Sequence, residues 1–142
     1  MPFQILNTKV IFNALRHGKN GEGDNDITQF LTFDQVDINV GYGFDGSTGV
    51  FKVPISGIYK MSFSGANAYG QNYEYIMVYK NGHSYHGTLL HQNDQRDRNI
   101  ISYNWMMRLR KGDEVQLYEN YKQYASDNTP LIFTGELIHN ET

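Results

Sequence analysis

No cysteine occurs among the 142 residues of this chain, which removes disulfides, thiolate nucleophiles and Cys-ligated zinc at once. A domain of this size needs no such staple, because it can bury a proper core of its own. Proline is scarce, with 3 residues, and no apolar run approaches the roughly 18 residues that a membrane-spanning helix requires. A large charge of one sign is also missing. The formal net charge of −3 offers no basic face, so nucleic acid is not an expected partner. The stretch MPFQILNTKV at the start lacks a charged n-region, an apolar h-region and a small-residue cleavage site, so no signal peptide is expected there; a chain whose leader had been removed would read the same. There is no internal repeat, linker or change of composition, and residues 1–142 are expected to form one domain with its core over about 10–138.

What is abundant points one way. Tyrosine (11), phenylalanine (8) and glycine (14) suit a pleated, half-buried surface joined by turns and bulges. The periodicity agrees. In VFKVPISGIYKMSFSGA, Tyr59, Met61 and Phe63 alternate with Ile58, Lys60, Ser62 and Ser64 after a Pro-Ile-Ser-Gly turn, the period of two that marks a strand. YEYIMVYKNGHSYHGTLLH reads as two strands around an Asn81-Gly82 hairpin turn. In IISYNWMMRLRKGDEVQLYENY, Ile101, Tyr103, Trp105, Met107 and Leu109 share one face, and Ser102, Asn104, Met106 and Arg108 the other, before a turn at Lys111-Gly112-Asp113. Leu131–Ile138 closes the chain as a last strand, while Val10–Arg16 is short enough to be strand or helix. No apolar stripe at helical spacing persists for three turns. Strands recurring at such intervals indicate an all-β sandwich or barrel.

One motif argues for something else. NVGYGFDGSTGVF contains a literal G-x-G-x-x-G at Gly41, Gly43 and Gly46. A dinucleotide site would need a helix directly after it, with the pyrophosphate at the helix N-terminus. STGVFKVP, with a glycine, two valines and a proline, is not that helix. These glycines are expected to serve turns or bulges between strands.

The spacing of Phe33, Asn39, Phe44, Phe51, Gly57, Tyr59 and Phe63 resembles the signature of the complement C1q globular-head family. Met61 stands where the pattern has Phe, a soft replacement of similar volume. VIFNALR, RKGDEVQL and FTGELI resemble the family's opening strand, late turn and closing strand, in the family's order. The resemblance implies a ten-stranded jelly-roll β-sandwich, similar to tumour necrosis factor, assembled as a homotrimer with one sheet of each copy against its neighbours and loops at one end forming an apex. An excess of aromatic residues is compatible with subunit interfaces. Many family members carry a collagen-like stalk, and no Gly-X-Y repeat exists here.

Several members of that family bind calcium near the apex through aspartates in the loop that matches His91–Asn99 here. The acids present are Asp94 and Asp97, offset from the family positions and flanked by Arg96 and Arg98. Calcium wants several oxygens at once, so the loop reads either as a calcium site on Asp94 and Asp97 or as a solvated loop. His83, His86 and His91 would make a zinc site only with ligands from a second subunit, since His86 and His91, five apart on a strand, face opposite ways. With no cysteine and no Gly-x-Ser-x-Gly elbow, acyl-transfer chemistry finds no nucleophile, and Asp113 and Glu114 are read as turn residues. No enzyme is expected.

Three polar-aromatic stretches remain, Asn67–Tyr75, Asn93–Asn99 and Tyr118–Asn128. Tyrosine rings offer stacking faces, while Asn, Gln, Asp and Arg offer directed hydrogen bonds, a mixture suited to glycan hydroxyls or a protein partner. Tyr73, Arg96, Asp97, Arg98 and Tyr121 are the expected ligand contacts. The expected function is a secreted, trimeric, lectin-like recognition module of innate immunity for carbohydrate or microbial-surface ligands, with no membrane insertion. The alternative is a signalling ligand that engages a protein receptor.

Overall fold

The alternation of side chains carries through to the backbone. The computed structural model describes residues 9–17, 29–67, 74–91, 100–119, 123–124 and 130–142, and among these the regular structure is all strand. The segments are β1 (Ile11–Arg16), β2 (Gln29–Phe30), β3 (Gln35–Val40), β4 (Phe44–Asp45), β5 (Val50–Lys52), β6 (Gly57–Asn67), β7 (Glu74–Lys80), β8 (His83–His91), β9 (Ile100–Leu109), β10 (Glu114–Glu119), β11 (Gln123–Tyr124) and β12 (Leu131–Asn140).

These twelve segments occupy ten lanes in two antiparallel sheets. In sheet A the order is β3, β1, β12, β6, β9; in sheet B it is β4, β5, β10, β7, β8. The short β11 pairs with β6 at Ala66 and Asn67, on the side that β12 occupies further along. Likewise β2 pairs with β10 at Tyr118 and Glu119, continuing the lane of β5. Apart from the β4–β5, β7–β8 and β11–β12 neighbours, each successive strand changes sheet. This is a ten-stranded jelly-roll sandwich, the architecture that the family resemblance implied.

Both sheets bury one face. From sheet A come Phe12, Tyr59, Met61, Phe63, Trp105 and Phe133, and from sheet B Phe44, Phe51, Ile76, Val78, Val115 and Leu117. The rings interlock: Phe12 stacks on Phe44 at 4.6 Å and meets Phe133 edge-on at 5.0 Å, geometries that aromatic quadrupoles favour. The Tyr59 hydroxyl donates to the Ile55 carbonyl at 2.6 Å, and burial pushes its ionisation up to about 12. Alternating residues of β6 and β9 fall on the faces that the sequence assigned, and Met61 is fully buried where the family pattern has Phe.

Val10–Arg16, which could be strand or helix on its pattern alone, is strand over Ile11–Arg16, with Phe12 and Ala14 buried. The hairpin turn at Asn81 (φ 52°) and Gly82 (φ 82°) is left-handed at both positions, as the twist of the flanking strands requires. Strand β3, QVDINV, alternates polar and apolar residues and packs Val36 against the core, yet none of its side chains is fully buried and the sequence analysis assigned no strand to it.

The glycine motif is a crowded corner of the sandwich. Gly41 is left-handed (φ 93°) beside Tyr42 (φ 58°). A Cβ on Gly43 would stand 2.7 Å from the Lys52 carbonyl oxygen, and one on Gly46 2.6 Å from that of Phe33. Asn39 closes the corner: its Nδ2 donates to the Phe44 carbonyl at 2.9 Å and its Oδ1 accepts the Phe44 N–H at 3.2 Å. The chain continues into β4 and β5, so the motif opens no helix.

Candidate interaction surfaces

The first surface is an end of the sandwich. Antiparallel register sets Arg16 opposite Leu131, Ala66 opposite Ile100, Glu74 opposite His91 and Glu119 opposite Gln29. Only six residues separate β6 from β7, and eight separate β8 from β9, so the corresponding ends of the two sheets lie together. The described strand ends that border the three polar-aromatic stretches therefore share one end of the molecule. Tyr73, Asp94, Arg96, Asp97, Arg98 and Tyr121 themselves lie outside the described residues. Sequence reasoning missed Glu119, a fully buried carboxylate at the last position of β10; the alternation Val115, Leu117, Glu119 places it inward, and only its charge argued for solvent.

The second surface is the outward face of sheet A. Register places Ile38, Asn13, Thr134, Ser62 and Asn104 in one row across five strands. The Ser62 and Thr134 hydroxyls bond to each other, and Asn13 Nδ2 donates to Asp37 at 2.9 Å. Small side chains make the row a shallow groove of about 440 Å³. Met106, 64% exposed, and Ile38, 43% exposed, stand near its two ends. A flat sheet face mixing short hydroxyls and amides with exposed apolar side chains can pack closely against another protein surface.

At the third surface the two sheets meet edge to edge, β8 of sheet B beside β9 of sheet A. His86 Nδ1 lies 2.7 Å from the Tyr103 hydroxyl, and its ring meets that of Trp105 edge-on at 5.8 Å. Trp105 stacks with Tyr103 at 5.0 Å. Burial pulls the His86 ionisation down and pushes that of Tyr103 up, because low-dielectric surroundings disfavour the charged form of each. Tyr85, 50% exposed, lies beside the His86 ring, with ring centroids 4.8 Å apart and tilted. His86 is thus occupied with aromatic neighbours. Among the described residues no group of three His, Asp or Glu side chains could hold a metal ion.

A fourth site is a hollow of about 280 Å³ bordered by Arg16, His17, Thr32, Asp34 and Ser47. The Asp34 carboxylate accepts the His17 backbone N–H at 2.6 Å and faces its Nδ1 at 2.8 Å. Partial burial works against the Asp34 charge, yet the hydrogen bonds from His17 outweigh it and hold the carboxyl below its usual range. Ser47 is the neighbouring hydroxyl, but it donates to Asp45 at 2.6 Å and makes no contact that would let His17 activate it. The His–Asp pair is a brace between β1 and the segment before β3. No helix in the described residues is long and apolar enough to cross a membrane.

Comparison with known proteins places this geometry. The family model described as the C1q domain matches residues 11–138. Among solved structures, the globular domain of zebrafish complement 1qA protein superposes with a TM-score of 0.72 at 18% identity, covering 93% of this chain and 99% of that one. Murine APRIL superposes with a TM-score of 0.69 at 14% identity, covering 92% of this chain and 99% of that one. At such identities the likeness is one of fold.

Proposed function

This chain belongs to the C1q-domain family, whose members are recognition or ligand modules, and from that premise we propose that it is a secreted homotrimer that binds carbohydrate on microbial surfaces. The observation that carries the reading is the common end of the sandwich reached by the strand ends around Asn67–Tyr75, Asn93–Asn99 and Tyr118–Asn128. In this reading Tyr73 and Tyr121 supply stacking faces, and Arg96, Asp97 and Arg98 supply directed hydrogen bonds to sugar hydroxyls. Asp94 and Asp97 are the acids that would hold a calcium ion beside them.

Assembly fits the second surface. The outward face of sheet A packs against neighbouring copies, covering Met106 and Ile38. A trimer then presents three equal ends in one direction. Weak single sites gain strength together on a repetitive surface, where the second and third contacts form at high effective concentration.

A glycan array probed with the trimer, with and without calcium, tests the reading. Binding that free sugar competes away supports it. No signal on any glycan, together with a tight stoichiometric complex with one membrane receptor that sugar leaves intact, would replace it by the signalling-ligand alternative.

A further inference from the structure

At the end of β12 the sequence reads Asn140-Glu141-Thr142, the one Asn-x-Ser/Thr triplet in the chain. Its geometry sets Asn140 apart from other asparagines among the described residues. Asn13 donates its Nδ2 to Asp37, Asn39 to the Phe44 carbonyl, Asn81 to Asp113 and Asn104 to Ser102. Each of those amide nitrogens has a protein partner. In Asn140 only the oxygen is engaged: Oδ1 accepts the Thr142 N–H at 2.8 Å and the Thr142 hydroxyl at 2.6 Å, the Asx-turn that asparagine makes with its own backbone two residues on. The Asn140 Nδ2 has no hydrogen-bond partner among the described residues and is not buried, so it faces water.

Register fixes where that nitrogen lies. Asn140 pairs with Gly57 at the start of β6, on the parity of buried Tyr59 and Met61, so its side chain leaves sheet A on the side away from the outward groove. It stands nine positions along β12 from Leu131, about 30 Å at the rise of a strand. Leu131 pairs with Arg16 at the end that gathers the polar-aromatic stretches, so Asn140 belongs to the opposite end. We propose that Asn140 is the acceptor of an N-linked glycan. In the transfer, Nδ2 attacks the anomeric carbon of an oligosaccharide carried on a polyisoprenyl pyrophosphate, and the C–N bond forms as the C–O bond to pyrophosphate breaks. The lipid pyrophosphate leaves with the electron pair, and a base of the membrane transferase takes the Nδ2 proton. The inference rests on the secretion in the reading above and goes beyond the ligand proposed there. A bulky hydrated chain at Asn140 leaves both the groove of sheet A and the ligand end uncovered. A trimer then carries three glycans at its base, which keep that end solvated while the polar-aromatic stretches meet their target.

Production of the full chain behind a cleavable signal sequence in a eukaryotic host tests this, with the mass read in both medium and cell extract. The wild type should be one glycan heavier than its 16.4 kDa, and peptide-N-glycosidase should remove the whole shift. Asn140→Gln and Thr142→Ala should each abolish it, whereas Thr142→Ser should keep it. All three should retain the wild-type melting temperature, since neither side chain belongs to the core. Bare chain mass in both fractions after signal removal, or a shift that survives Asn140→Gln, would overturn the site and leave the recognition reading to the array. A glycan on Asn140 of a trimer that binds nothing on the array would uphold the site and remove the recognition reading.

Discussion

The Tyr103 hydroxyl lies 2.7 Å from Nδ1 of His86, and this contact ties the edge of one sheet to the edge of the other where β8 and β9 share no ladder among the described residues. Burial lowers the His86 ionisation, so the folded edge holds a neutral imidazole. That relationship makes acid sensitivity a property of the sandwich itself.

The unfolded chain titrates His86 near its ordinary value of 6.5, and the folded chain at a lower value. As pH falls through this window the unfolded state binds more protons, so stability drops with it. The stability tied to neutral His86 is complete above about pH 6.5 and is lost as pH falls through the lower folded value. The melting temperature should decline from pH 7.5 to 5.5, and His86→Gln should flatten that decline. An equal decline in both proteins would place the acid sensitivity elsewhere. The lowered carboxyls of Asp34 and Asp113 act in a separate window, below the ordinary carboxylate range.

Asn39 satisfies both the N–H and the carbonyl of Phe44 from one side chain. Asn39→Ala leaves two partly buried backbone groups without that partner, at a cost of about 1–3 kcal/mol. Urea unfolding should show a lower midpoint with an unchanged slope.

Gly43 has backbone where a side chain would go, with the Lys52 carbonyl oxygen 2.7 Å from the point a Cβ would occupy. Gly43→Ala must displace β5 and should cost about 1–3 kcal/mol or more. A nucleotide site would instead predict lost ligand binding at unchanged stability, which separates the two readings of the motif.

Light scattering at micromolar concentration should give three times the 16.4 kDa chain mass. Met106→Asp, at a side chain 64% exposed in the single copy, should shift the species towards one chain mass, since burying an unpaired charge at an interface is costly. A wild-type monomer would rule the assembly out.

If calcium sits on Asp94 and Asp97, chelation should lower the melting temperature through loss of a ligand specific to the folded state. Asp97→Asn should then remove the calcium response. An unchanged melting temperature with chelator would remove calcium and leave sugar binding to be judged by the array.

Much of the fold was legible because strand periodicity is local. Tyr59, Met61 and Phe63 declare their face by alternating with polar neighbours, and Asn81-Gly82 declares its turn by tolerating left-handed backbone. Strand β3 shows the limit of that signal: QVDINV alternates as a strand should, but over only six residues and with Ile38 exposed, because its apolar side chains lie at the edge of sheet A rather than in the core. The expected ligand contacts came from composition and family likeness, and they lie outside the described residues.

By itself, then, the sequence determined the all-β class, the inward set of β6 and β9, and the membership that the Phe33-to-Phe63 spacing announced. Only the tertiary structure decided which distant residues meet. Phe30, Tyr79 and Tyr118 come together because β2 continues the lane of β5 along β10, and His86 reaches Tyr103 because two sheet edges close on each other. Alternation reports which face a residue takes within its own strand. Which strand lies beside it depends on register and lane order, and these are settled by packing the whole core at once.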